Sequence, residues 1–367
     1  MRRDVLELDA TAQAVLDSWR RGIGAADYDA LRLLLLGSSV VDWQRLSFRT
    51  LDEVDEFLRL HLLDMDDSGD RERLRYVFSE SVSYLEEHLH LRFPRSLRSP
   101  EDVRMVFVWA SQFGGFRRTQ ILSCVILKLM HVIHHMEAAD LKFKTPMSEE
   151  ALFDRARARI MKRALEMRQE GLPVLSFYGS RKSRTSVVTK LLVKADNIAA
   201  TVFDKLRFRM VVQSRDDLVP ALRWLVRNVV PFNYVIPGQT HNNLLEPSVL
   251  EDWRAFDSPD AQAVEPALAH DRAVKNEFSG SSYRMVNFIA DFPVLLSDSE
   301  APVGAFPFEY GRVVYVMVEF QLLDEETARL NEHGDNAHHL YKERQHREVA
   351  RRLKRGGFGR TSKDSSG

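Results

Sequence analysis

Apolar residues in the first 150 positions recur three and four apart, the spacing that lines one side of an α-helix. Segments 11–23, 52–65, 72–91, 101–113 and 117–138 all show it. Thr50 stands where an N-cap would precede the second of these, and Ser99-Pro100 where one would precede the fourth. A charged helix over 148–170 closes this part and is stopped by Gly171-Leu172-Pro173. The pattern then changes. Strands are predicted at 173–179, 202–212, 282–294 and 313–323, with helices at 184–195 and 216–229 and a short extended piece at 233–238. A weakly patterned acidic loop runs to about residue 278, and a polar helix with His333, His338 and His339 follows the last strand at once.

That order predicts an α+β fold. An all-helical, regulatory domain would occupy 1–150, and a domain with a mixed β-sheet flanked by helices would occupy 151–345. A basic, flexible tail would occupy 346–367.

Composition narrows the classes. A chain of 367 residues has room for about two domains. The net charge of −1 leaves any nucleic-acid signal to local patches. The single cysteine, Cys124, excludes an intrachain disulfide framework and predicts a reducing, cytoplasmic setting. The N-terminal stretch carries two arginines but no apolar core, so a secretory signal is not expected. The apolar run 121–133 is too short for a membrane span and holds Lys128 and His131; it predicts a buried helix and no membrane partner.

Four clusters carry candidate chemistry, each with a plainer structural account. Gly179, Arg181, Lys182 and Arg184 precede a Ser/Thr-capped helix bearing Lys190, which suits phosphate; a solvated basic loop looks the same. Asp204 stands near a strand start, where a carboxylate can hold Mg²⁺, with Arg207 and Arg209 sharing one face beyond it; an edge strand would look similar. Tyr283 follows a Gly/Ser turn and could stack on a base, or be a half-buried sheet residue. Glu319 and Gln321 lie on the face opposite Val318 and Phe320. A buried carboxylate there must face a cation, a metal or water, unless that sheet face is simply exposed.

Taken in order, these clusters, with "VEFQLLD" and "NEHGDNAHHLYK", resemble the synthetase domain of RelA/SpoT-type alarmone synthetases over about residues 155–345. The resemblance implies a nucleotidyltransferase-like fold and transfer of the β,γ-pyrophosphate of ATP to a nucleotide 3′-hydroxyl. It implies Mg²⁺ on Asp204, with Glu319 as second metal ligand or as the base for the hydroxyl proton. Arg181, Lys182, Lys190 and Arg209 would hold the ATP phosphates or stack near adenine. Tyr283 would stack on the acceptor base, with Gln321 and His338 lining the same pocket.

The acceptor signature departs from the family pattern: Ser282, Met285 and Asn287 replace its glycine, serine and histidine, and Leu323-Asp324 replaces Arg-Thr. The acceptor therefore stays open between GDP or GTP, an adenine nucleotide and the tRNA 3′ end. For tRNA, the basic tail (Arg347, Arg351, Arg352, Lys354, Arg355) would add a contact. The alternative is a catalytically inactive nucleotide-binding or interaction module of the same fold. In the N-terminal half, His131 and His135 share a helix face and read as buried or interfacial side chains.

Overall fold

The structure is a computed structural model. It describes residues 25–42, 46, 48–112, 117–193, 205–246, 248–252, 283–297, 299–300, 310–333 and 338–355. The expected helix at 11–23, Asp204, Ser282, most of the acidic loop and the tail beyond residue 355 lie outside them, as do the side chains of His338, His339 and Tyr341.

The α+β expectation is met: helices come first, then a mixed five-stranded sheet flanked by helices. The helices are α1 (Ala25–Leu36), α2 (Leu51–Leu60), α3 (Ser68–Leu89), α4 (Arg95–Arg98), α5 (Met105–Ala110), α6 (Arg117–Lys144) and α7 (Glu149–Gln169). Thr50 caps α2 through a reciprocal box with Glu53. Ser99-Pro100 starts no helix, contrary to the sequence expectation: Ser99 is instead the C-cap of α4, its N–H bonding the Arg95 carbonyl, turns and bends fill 101–104, and α5 begins only at Met105, without a side-chain cap. The run 121–133 is helical, as expected, and buries Cys124, Ile126, Leu127 and Met130. It lies inside α6, which over Arg118–Lys144 is long and apolar enough to cross a membrane by length and composition. In this fold α6 buries Cys124, Ile126 and Met130 in the helical core and Ala138 and Leu141 in the core of the sheet.

The strands are β1 (Val174–Arg181), β2 (Leu206–Val212), β3 (His241–Asn242), β4 (Val286–Leu295) and β5 (Val313–Asp324), in the order β1-β2-β5-β4-β3. Only β2 and β5 run parallel. Between the strands lie α8 (Arg184–Val193), α9 (Leu218–Asn228) and α10 (Val249–Asp252); α11 (Glu325–Asn331) and α12 (His338–Arg355) follow β5. The expected extended piece at 233–238 is a 3₁₀ turn, Phe232–Tyr234, leading into a single bridge between Val235 and Ala290. The helix α12 runs through the first part of the expected flexible tail. Its C-terminal turns are tied down locally, by the Glu348–Arg351 pair and by Arg352 donating to the Leu192 carbonyl at the end of α8.

One sheet face is apolar. Phe177, Phe208, Phe320 and Phe288 stack across four adjacent strands, with ring centroids 5.5, 5.9 and 5.2 Å apart. Helix α7 lays Leu152, Ala156, Ile160, Ala164 and Met167 into this core, and α9 adds Leu222, Trp224 and Leu225. Although it lies early in the chain, α1 joins the same core through Leu31 and Leu34. Its buried Asp27 receives Arg223 and Arg227 of α9 at 2.6 and 2.7 Å. Gly179 is a strand residue opposite Phe208, and an added Cβ would stand 2.7 Å from that ring. The glycine expected at a phosphate site thus makes room for the phenylalanine stack.

The other face is partly covered by α6. His135 lies flat on Tyr315 of β5, 4.6 Å between centroids and 9° between planes, and its Nδ1 is 3.5 Å from Asp291 of β4. The Tyr315 and Tyr234 hydroxyls share a hydrogen bond. Buried Arg73 of α3 donates to Glu137 of α6 at 2.6 Å and approaches His134 Nδ1 at 3.2 Å. Gly311, at φ +67°, leads into β5 where a Cβ would stand 3.0 Å from Arg73 Nε.

The tight fit at Gly179 makes its replacement informative. Gly179→Ala should cost about 1–3 kcal/mol by overpacking the stack. Urea unfolding checks it, with Ser180→Ala on the opposite face as the near-neutral control. Stability should also depend on pH. Burial is the main cause that pushes His61 and His131 down to about 4 and His134 and His135 down further. Between pH 6.5 and about 4, the unfolded chain therefore takes up protons that the folded chain refuses, and stability falls with pH. Burial raises Asp291 to about 6; the folded state gains a proton there first, which opposes the trend with one group against the histidines. The urea midpoint should drop steadily from pH 7 to pH 5, with each net proton worth about 1.4 kcal/mol per pH unit at most. A flat midpoint over that range would contradict neutral, buried imidazoles.

Candidate functional site

The pairing register brings the candidate residues to one face by strand alternation. Arg207 stands opposite Glu319 and Arg209 opposite Gln321 across the parallel β2–β5 pair. On the other side of β5, Ile289 faces Glu319 and Asn287 faces Gln321. On β1, Ser180 and Tyr178 stand opposite Arg207 and Arg209. His241 of β3 completes the row beside Asn287. This face continues the one that α6 covers: Tyr315 and Met317 lead along β5 to Glu319 and Gln321.

Glu319 and Gln321 are each only 6% exposed. Gln321 Nε2 donates to Glu319 Oε1 at 3.0 Å, so the carboxylate keeps a neutral donor beside it and a guanidinium strand next door. The Arg209 Nε is buried without a hydrogen bond among the described residues, and so is Asn287 Oδ1. A carboxylate, an amide and an arginine collected on a rigid sheet form a polar surface inside the fold, where charge interacts strongly.

Tyr283 arrives at the same place. Burial raises its hydroxyl above the ordinary phenol range, while Arg209 and Arg207 pull it down and Glu319 and Tyr178 push it up. Its backbone is pinned by two asparagines that sequence reasoning did not single out. Asn243 donates to the Tyr283 carbonyl at 2.7 Å and accepts from the Met285 N–H at 2.8 Å. Asn331, the last residue of α11, accepts from the Arg284 N–H at 3.1 Å and donates to its carbonyl at 2.6 Å. Each side chain imitates a neighbouring strand. No spacing rule announces such a clamp; only the concentration of asparagines in segments 242–243 and 331–336 hinted at one.

The cations expected from the sequence to hold phosphate divide. Arg209 belongs to the polar face. Arg181, at the end of β1, shares the side of Phe177 and Gly179 and is spent on α7: it donates to Glu150 Oε1 at 3.0 Å, to the Glu150 carbonyl at 2.9 Å and to Asp154 at 2.6 Å. Lys182 is half-buried, and its backbone N–H bonds the Lys205 carbonyl at 3.0 Å, extending the β1–β2 pair. Ser183 caps α8 through the Ser186 N–H at 3.3 Å. Lys190 lies half-buried on α8. His338 opens α12, and Asp204 lies outside the described residues. No group of three or more His, Cys, Asp or Glu side chains among the described residues forms a metal cage.

No family model and no curated protein matches the chain. Among solved structures it is similar to small alarmone synthetase 1 from Bacillus subtilis bound to its product pppGpp, at 16% identity and TM-score 0.31, over 56% of this chain and 86% of that one. Small alarmone synthetase 2 from the same organism matches at 15% identity and TM-score 0.29, over 55% and 93%. A GTP pyrophosphokinase family protein from Streptococcus pneumoniae matches at 13% and 0.28, over 57% and 90%. Likenesses this distant carry no argument about chemistry.

The Glu319–Gln321 pair yields a double-mutant prediction. Gln321→Leu should cost about 1–3 kcal/mol, because it removes the amide donor from a buried carboxylate oxygen. Glu319→Leu with Gln321→Leu should recover most of that loss. Chemical unfolding of both single variants and the double variant measures the coupling; additive losses would mean that the two side chains act independently.

Proposed function

We propose that the polar sheet face is the catalytic surface of an ATP-dependent pyrophosphotransferase of the RelA/SpoT synthetase type. The single observation supporting this is that Glu319 and Gln321 of β5 and Arg207 and Arg209 of β2, about 110 residues apart in sequence, share one sheet face. The sequence resemblance over the same segment points the same way.

In this reading the acceptor's 3′-oxygen attacks the β-phosphorus of ATP, the bond from the β-phosphorus to the α,β-bridging oxygen breaks, and AMP leaves. Glu319 accepts the hydroxyl proton, and Gln321 holds that carboxylate in place. Arg209, Lys182 and Lys190 offset the phosphate charge, while Arg181 braces the end of β1 against α7. Tyr283, held by Asn243 and Asn331, offers its ring to the acceptor base. Catalysis of this kind needs positioning and charge neutralisation more than covalent participation.

Mg²⁺ suits the donor set. It binds through one or two carboxylates and completes its shell with water and substrate phosphates, so Glu319 with Asp204 would hold it without a protein cage. When bound it would neutralise developing phosphate charge. The acceptor is the finer question. Asn287, opposite Gln321, stands where the family has histidine, and its free Oδ1 favours a base or ribose that presents a donor.

The test incubates purified protein with γ-labelled ATP, Mg²⁺ and, separately, GDP, GTP, ADP, AMP and bulk tRNA. Label should move to one acceptor class and fall at least about a hundredfold in Asp204→Ala and Glu319→Gln. Bound ATP with no transfer to any of these acceptors would leave the inactive nucleotide-binding module as the better account.

A further inference from the structure

Helix α6, Arg117–Lys144, is the longest of the described helices, and its inner side fills both cores. Along its outer side run Leu122, Val125, Leu129, Val132, Met136, Ala139 and Phe143, at alternating steps of three and four. The row emerges as the chain advances. Leu122, Val125 and Leu129 are half-buried against the helical core, whereas Val132 is 46%, Met136 58% and Phe143 90% exposed. Ile121, beside the start of the row, is also 46% exposed. Single exposed apolar side chains are ordinary, but a continuous row of them on one helix marks a contact surface.

The spacing decides what kind of body covers it. An apolar row of strict three-four period is one or two residues wide, the seam that a second helix fills by knobs into holes. A lipid surface takes a broader apolar face with a polar one behind it. Here His135 is stacked on Tyr315 at one flank of the exposed stretch, and Asp140 and Lys144 meet solvent at the other. No polar residue interrupts the seam, so it is complementary to itself, as a two-fold interface requires. The area suffices. Burying the Phe143 ring removes about 200 Å² from each chain. With Ile121, Val132 and Met136, two chains together lose roughly 1,000 Å², the least that a specific interface needs.

We infer that this seam is a homodimer interface, in which α6 of one chain packs along α6 of a second copy. An interface at the lower limit of size gives a reversible dimer whose population depends on concentration. The second copy would brace from behind the helix that holds His135 on Tyr315, on the strand that also carries Glu319.

Sedimentation equilibrium of the full chain across the micromolar range tests it. The mass should rise with concentration toward that of two chains of 42.3 kDa each. Met136→Glu and Phe143→Glu, at side chains that face solvent, should each weaken dimerisation at least about tenfold. Leu165→Glu, at an exposed position of α7 beneath the other sheet face, should leave it unchanged. A second readout locates the contact. Val132 stands at the middle of the seam, so two whole seams laid together bring residue 132 close to its own copy whether the helices run parallel or antiparallel. Val132→Cys should therefore give a disulfide-linked dimer under mild oxidation, and the wild type, whose one cysteine is buried, should not. A single-chain mass throughout the range, a dimer indifferent to both glutamate variants, or a monomer that co-sediments with anionic lipid vesicles would overturn the inference. No substrate enters either measurement, so a chain inactive in pyrophosphoryl transfer leaves it standing.

Discussion

The strand β5 is buried from Val313 to Asp324 with one half-buried exception at Met317, and that constraint organises the molecule. A strand with no solvent face can carry polar side chains only where their partners are also inside. At one end Tyr315 finds the Tyr234 hydroxyl and the His135 ring; at the other Glu319 finds Gln321. The helical half is therefore more than an appendage. It closes the first end of the same face whose second end holds the candidate chemistry.

The two faces of the sheet divide the work. The phenylalanine stack under α7 and α9 is a dry, close-packed plate, and interiors of that density hold side chains in single rotamers. Groups mounted on the opposite face inherit its rigidity, which a site acting by fixed charge requires. The diversion of Arg181 to Glu150 and Asp154 fits the same plan, since it ties the end of β1 to the helix beneath the plate. The basic loop that suggested phosphate in the sequence is thus partly structural.

Much of this was legible in the chain, for identifiable reasons. Alternation along β5 put Glu319 and Gln321 together and away from Phe320, because a period of two leaves no freedom. Arg207 and Arg209 fell on one face by the same rule. Helix periodicity found α7, α8 and α9 nearly to their ends. What stayed hidden depends on distant partners. Gly179 was assigned to a phosphate site because nothing local reports the ring of Phe208 across the sheet. Ser99-Pro100 had the chemistry of a cap but no helix to start, since turns intervene before Met105. The histidines of α6 look alike in sequence, and only the facing Tyr315 and Asp291 separate a seam from a ligand set. Asn243 and Asn331 pair with backbone, and backbone has no sequence signature.

The middle strand of the sheet is also the last in sequence among the described strands. As the chain emerges from a ribosome, β1 and β2 can pair, and later β3 and β4, but each pair is left with an inner edge of unmatched N–H and C=O groups. Only β5 fits between them, parallel to one and antiparallel to the other. Until it is synthesised the nascent protein is two open-edged antiparallel pairs awaiting a common wedge, a state exposed to misassociation and dependent on slow, long-range closure. A chain cut ahead of Val313 is consequently not a smaller version of the fold but a pair of adhesive fragments.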